Sequence, residues 1–521
     1  MNRRDLLKMA AAGAGLSLAG VPLHLLAAAK KDGTLNVLVQ PEPPGLMLGL
    51  VQNGPTQLIA GNIYEGLLRY DDKLTPLPSL ATSWTANKEG TLYTFRLKPN
   101  VSWHDGKPFT AADVVFSADV FLRKTHARFR ASLEAVESIR AIDPLTVEFR
   151  LKYPFGPFLG LFETGTMPMI PKHIYEGTDF ATNPANATPI GTGPFKFKEW
   201  SKGSHILLVA NENYHIKDVP LVGSLYFHII PDAASRAAAF ESGKIDIVPG
   251  GSVEYFDVAL LSKLPGVQVT TKGWEFFAPH SWLWLNNRKA PMDSVKFRQA
   301  VMFAIDREAM AKIAWHGYAK PATGPFNSNI RFHSTDVAKY PRNVATAKKL
   351  VAESGYKGET LRLLPLPYGE TWSRQAEILR QNLAQVGIKV DLVATDVAGW
   401  NQRLNDWDYD MAFTYVYQYG DPALGVARNY TSANIAKGSP FNNVEGYSNP
   451  KVDELFAAGA REIDPEKRRL IYLDVQKILL DEVPVAWLHE INFPTLYRAR
   501  VQNVISSGIG LNDSLGRASL A

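Results

Sequence analysis

The 521-residue chain contains no cysteine. That excludes disulfides, thiolate-ligated zinc, a cysteine nucleophile and a lipid-modified N-terminal cysteine. Beyond its N-terminal segment it has no run of 18 apolar residues, so no membrane-spanning helix is predicted for the mature chain. Lysine and arginine nowhere cluster with interleaved aromatics. The formal net charge is only +5, and Arg3, Arg4 and Lys8 set against Asp5 account for two of those charges. A nucleic-acid partner is therefore not expected. The histidines are scattered, with no HExxH spacing and no GxSxG elbow. Gly191-Thr192-Gly193-Pro194 lacks the Gly-Lys-Ser/Thr end of a phosphate loop and reads as a tight turn, as does His104-Asp105-Gly106. No catalytic residue, metal site or cofactor is predicted, and an enzyme is not expected. No internal repeat or low-complexity tract is visible.

What is present fits a large soluble protein. The length suggests two or three lobes. An exported chain of this size without disulfides can rest on its cores. The 11 Trp and 20 Tyr residues leave some aromatics for a binding cleft.

The first residues, Asn2-Arg3-Arg4-Asp5-Leu6-Leu7-Lys8, precede a mildly apolar stretch from Met9 to Leu26 and then Ala27-Ala28-Ala29. Charged, apolar and small residues in that order, with a paired arginine at the front, predict a cleaved twin-arginine export signal over 1–29. Gly13, Gly15, Gly20 and Pro22 make the stretch a poor anchor. The expected location is the periplasm, free of lipid.

Along the mature chain, Leu35–Val39 predicts a short strand stopped by Pro41-Glu42-Pro43-Pro44-Gly45. Tyr93, Phe95 and Leu97, and then Leu145, Val147, Phe149 and Leu151, alternate as half-buried strands. Thr110, Asp232, Asp306, Asn343 and Asp464 sit where helix N-caps belong. The helix after Asp464-Pro465 is predicted to bury Ile471, Val475, Ile478 and Leu479. Around residues 361–392 a strand, a helix and a second strand form a β-α-β unit, so the fold class is mixed α/β.

The order of motifs is then specific. It runs through Asn62-Ile63-Tyr64-Glu65-Gly66-Leu67, Pro78 to Trp84, and Trp103-His104-Asp105-Gly106-Lys107-Pro108-Phe109-Thr110-Ala111-Ala112-Asp113-Val114. It continues with Ile190-Gly191-Thr192-Gly193-Pro194-Phe195, Gly243-Lys244-Ile245-Asp246, Asp421-Pro422 and Gly446-Tyr447-Ser448-Asn449-Pro450. Over nearly the whole mature chain this resembles the family 5 (cluster C) extracellular solute-binding proteins, which include peptide- and nickel-binding members. The resemblance implies a type II periplasmic-binding-protein architecture, a two-lobed Venus flytrap. Lobe one would comprise 30–64, 189–274 and 492–521, with an inserted subdomain over 65–188. Lobe two would span 275–491, and hinge crossings would lie near 274–282 and 487–494. It also implies capture of di- or oligopeptides by a monomer and delivery to an ABC permease and its ATPase. A nickel chelate, opine or sugar remains open as cargo, because fold does not fix ligand. An exported hydrolase or a periplasmic chaperone or sensor domain are the readings from other classes.

For peptide binding the resemblance implies that Asp421, in Tyr417-Gln418-Tyr419-Gly420-Asp421-Pro422, pairs with the ligand's amino group. Arg374 is a candidate carboxylate partner, because a guanidinium grips a carboxylate bidentately. Trp282, Trp284, Trp400, Tyr415 and Tyr417 are candidate cleft aromatics. Asn286 is a candidate contact from lobe two, and Pro44 and Gly45 offer backbone at the cleft edge.

Overall fold

The computed structural model describes residues 33–521. The predicted export signal lies outside the described residues.

Three sheets organise the chain. In the first, Thr34–Val39 lies at the centre and runs parallel to both Ser224–Ile229 and Ile247. Its near-continuous apolar run is what a strand covered on both faces requires. Leu35, Val37 and Leu38 are wholly buried. The full order across this seven-stranded sheet is Val267–Thr270, Thr495–Arg498, Ile247–Val248, Thr34–Val39, Ser224–Ile229, His205–Ala210 and Phe195–Ser201. With its helices it makes lobe one. A four-stranded antiparallel sheet, Ala81–Ala86, Leu92–Leu97, Thr146–Leu151 and Val136–Asp143, forms the insert beside it.

The third sheet has six strands in the order Ala319–Pro321, Val485–Ile491, His280–Leu285, Met411–Val416, Thr360–Leu364 and Lys389–Leu392. The last two are parallel and joined by the helix Glu370–Ala384, the β-α-β unit that the periodicity predicts. This sheet and its helices make lobe two. The chain leaves lobe one after Thr270, enters lobe two at His280, and returns between Ile491 and Thr495. The Trp274 indole N–H donates to Phe493 O at 3.0 Å and ties the two crossings together.

Local capping explains where helices start. The side chains of Asp232, Asp306, Asn343 and Asp464 accept N–H groups of their own first turns. Asp113 does the converse, accepting the Thr110 N–H at 2.9 Å. One face differs from its expectation. The helix Pro465–Glu482 buries Arg468, Tyr472, Val475, Gln476, Leu479 and Leu480, whereas Ile471 and Ile478 are only partly covered. The buried stripe is rotated because Arg468 and Gln476 find polar partners inside. The Gly191–Gly193 turn is a packing device, since a Cβ on Gly191 would lie 1.9 Å from Ile63 O. The His104 ring closes the same turn, 2.9 Å from Gly193 O.

Candidate functional site: the cleft between the lobes

Tyr415 lies on the strand Met411–Val416, and Tyr417 and Tyr419 follow it into the turn, so that the three rings pack in succession. Their ring centroids are 5.6 and 6.2 Å apart in succession. Hinge aromatics pack on this ladder from the lobe-one side. Trp274 is stacked on Tyr417 at 6.5 Å and Phe493 meets Tyr415 at 5.8 Å. From within lobe two, Trp372 stacks on Tyr415 at 5.8 Å. Burial pushes the Tyr415 hydroxyl up to about 12 and raises Tyr417 well above its usual value, so both stay neutral donors. Tyr419 itself has φ +50° and precedes Gly420 at φ +71°, a left-handed pair that turns its ring outward toward the insert.

Two guanidiniums converge on Tyr419. Arg128 of the insert lies 4.1 Å from its ring centroid, and Arg428 of lobe two lies 5.8 Å away. Neither guanidinium donates a hydrogen bond to a protein acceptor among the described residues, and the Nε of Arg428 is buried without a partner. Burial, reinforced by Arg128, destabilises the charge on Arg428 despite the pull of Tyr419. The one carboxylate nearby is Glu163, 3.7 Å from Arg128. Its oxygens are already held by its own loop, by the Gly165 N–H at 2.5 Å and by the Thr166 hydroxyl. Burial pushes this carboxyl upward while Arg128 pulls it down. Two cations thus share one carboxylate at the seam between insert and lobe two, and Arg428 has no counter-ion among the described residues.

The two lobes touch across this seam. The Gly156 N–H of the insert donates to Ala460 O at 2.8 Å. A cavity of about 110 Å³ remains between them, bounded by Tyr70, Phe276, Arg331, Tyr419 and Asp421. A larger one of about 480 Å³ lies between lobe one, the insert and the C-terminal segment, with Thr164 on its wall.

The expected site residues fall into two groups. Tyr415 and Tyr417 lie on the cleft ladder. Asp421 borders the small cavity, but it is only 5% exposed and both of its oxygens are taken by Arg468, at 2.9 and 3.0 Å. The expected free amine anchor is instead half of an internal ion pair, because Arg468 points inward from its helix. Arg374 is an exposed first-turn residue 3.7 Å from Glu370, four positions before it. Trp282 and Trp284 belong to a strand paired on both edges and are wholly buried; Trp284 is stacked on the buried Trp400 at 6.1 Å. All three are core of lobe two, not cleft. Asn286 spends its amide on Trp407 O and Tyr409 O, at 3.1 and 3.0 Å. Gly45 O accepts the Thr56 hydroxyl, and Pro44 is exposed in the same turn. Sequence reasoning passed over Tyr419, Arg128, Arg428 and Glu163. The Tyr-x-Tyr-x-Tyr alternation was a usable signal for the first, whereas the other three carry none.

The family profile "Bacterial extracellular solute-binding proteins, family 5 Middle" matches residues 75–437. The chain belongs to this family. Its relatives include the glutathione-binding protein GsiB of Pectobacterium atrosepticum, 28% identical over 459 residues that span 83% of this chain and 84% of that protein. Among solved structures, the ABC transporter substrate-binding protein CtaP of Listeria monocytogenes superposes with a TM-score of 0.84 at 26% identity, covering 94% of this chain and all of the other. The binding protein AgaA of A. tumefaciens R10, solved with agropinic acid, gives 0.80 at 25% identity, over 94% of this chain and 99% of its own. The fold is that of the type II periplasmic binding proteins. Members of this family bind small or peptide ligands and deliver them to ABC permeases. No helix among the described residues is long and apolar enough to cross a membrane, and no three potential metal ligands are grouped there.

Proposed function

We propose that this family 5 binding protein captures a peptide-like solute carrying at least one free carboxylate and hands it to the permease of an ABC importer in the inner membrane. The observation that carries this reading is the pair of under-partnered guanidiniums, Arg128 and Arg428, flanking Tyr419 at the lobe seam. A buried cation without a counter-ion is unfavourable, and a ligand carboxylate relieves it while gaining charge-assisted hydrogen bonds. The tyrosine ladder supplies flat surface and hydroxyls for the rest of an extended ligand. In this reading Arg128 comes from the insert and Arg428 from lobe two, so an anion between them bonds to both bodies and stabilises closure by its differential affinity for the closed state. Asp421 acts indirectly by fixing the loop that presents Tyr419. No bond of the solute is made or broken. The chain acts as a monomer in the periplasm, delivered there by its twin-arginine leader.

The names of the relatives fit a carboxylate-bearing ligand. Glutathione and agropinic acid are both acids, one a peptide and the other an opine. A thermal-shift and calorimetry panel of glutathione, di- and tripeptides, agropinic acid and peptide amides lacking the C-terminal carboxylate tests the reading. Free peptides are expected to raise the melting temperature by mass action, and the amides to fail. Arg428→Gln is expected to weaken the best binder by about tenfold or more, as loss of a hydrogen bond to a charged group implies. Stabilisation by agropinic acid alone would move the cargo to opines within the same site. Binding indifferent to both the carboxylate and Arg428→Gln would reject it.

A further inference from the structure

The helix Glu370–Ala384 of lobe two begins without a cap of its own. Its N-cap position is Gly369, at φ +99° and with no side chain to offer. The first turn of a helix has N–H groups with no internal acceptor, and these attract negative charge. Here the acceptor comes from the other lobe. Glu254, preceding the lobe-one helix Tyr255–Leu261, accepts the Glu370 N–H at 3.3 Å and the Thr371 hydroxyl at 3.1 Å. Gly369 makes this approach possible, since a Cβ there would lie 2.2 Å from Glu254 Oε1.

The adjoining residue reinforces the contact. Tyr255 is buried in the core of lobe two, its ring 5.1 Å from Trp315. Trp315 in turn packs edge-on to Trp372 at 5.1 Å, and Trp372 stacks on Tyr415 at the top of the ladder. A carboxylate and a phenol from lobe one thus plug into lobe two, and the helix turn they meet also supports the cleft wall. Like charges surround the contact. Asp257 and Glu370 crowd Glu254, with Arg236 as the nearby cation, and the Asp257 carboxyl is raised by burial and by Glu254.

We infer that Glu254 is a positioning residue for capture: an interlobe latch that caps a lobe-two helix only when the lobes close, and so biases the protein toward closure before any solute adds its share. The contact disappears on opening, so its free energy enters the open–closed equilibrium directly. Loss of a helix cap shifts such an equilibrium by about five- to tenfold.

The test needs no solute and so stands apart from the carboxylate reading above. A fluorophore pair spanning the two lobes, with small-angle scattering alongside, gives the open-to-closed ratio of the full chain freed of ligand by partial unfolding and refolding. Glu254→Ala is expected to raise that ratio by about five- to tenfold, and Gly369→Ala to do the same by blocking the approach. Glu254→Gln, which keeps the acceptor and loses the charge, should recover part of the closure. Circular dichroism and a single cooperative unfolding transition for each variant guard against misfolding, and because a side chain at φ +99° strains Gly369→Ala, the Glu254 variants carry the test. A ratio unmoved by Glu254→Ala, or a ligand-free wild type with no closed fraction, overturns the latch.

Discussion

Removing either half of the Asp421–Arg468 pair should destabilise lobe two rather than simply empty the binding site. In Asp421→Ala the Arg468 guanidinium, 3% exposed along its side chain, would keep the Gly459 carbonyl at 2.8 Å, a long contact to the Tyr472 hydroxyl at 3.5 Å and the faces of Phe332 and Tyr472, but no carboxylate. Breaking a buried pair from one side costs about 3–5 kcal/mol, because the surviving charge is left uncompensated. The lost Ala423 N–H bond to Asp421 Oδ1 adds to that. At about 2–4 °C per kcal/mol for a unit the size of lobe two, the melting point should fall by about 6–20 °C. Asp421→Leu combined with Arg468→Met, which fills the space with apolar atoms, should recover most of the loss. A double-mutant cycle would then report a coupling of at least about 2 kcal/mol. Calorimetry of the wild type, Asp421→Leu, Arg468→Met and the double variant gives every term of the cycle, with Asp421→Ala measured beside them. If Asp421→Ala melts like the wild type while peptide affinity collapses, the carboxylate is free to meet a ligand amine and the ion-pair reasoning is wrong.

Three further outcomes follow from other parts of the molecule. Gly191→Ala should fold poorly or lose more than about 3 kcal/mol, since the new Cβ meets the Ile63 backbone on which no side chain can yield; soluble yield and melting point check this. Gly203→Ala, at φ +71° but facing open space, should lose only about 1–2 kcal/mol, so equal effects at the two positions would contradict the packing account. Acid should weaken the fold well before the carboxylates titrate. Burial depresses His280 to about 3 and His489 to about 4. Each contributes stability that is present above the unfolded value near 6.5 and lost as pH falls toward the folded one. That amounts to up to about 2 kcal/mol per histidine between pH 7 and 5. Denaturant unfolding at those two pH values should resolve the difference, and a flat profile would mean that the unfolded state does not gain these protons.

Strands and helix starts were legible because their causes are local. Alternation at Tyr93, Phe95 and Leu97 and the caps at Asp306 and Asn343 need only neighbours a few residues away, and the capping bonds are formed. The site was less legible because its causes are remote. Trp282 and Trp284 look like cleft residues in isolation, yet strands pair on both edges of theirs and bury every position. Arg468 reads as a solvated helix residue until a loop 47 positions earlier presents Asp421 to it. Whether a charged side chain is free for a ligand depends on which distant partner reaches it first, and one sequence does not carry that information. Asp421 and Arg428 are opposite outcomes of the same contest. The carboxylate that seemed available is already neutralised, and a guanidinium with no motif to mark it is left without a counter-ion. An interior tolerates the first indefinitely and the second only with help from outside, so the uncancelled charge at the seam is a better guide to the solute than the residues that matched a pattern.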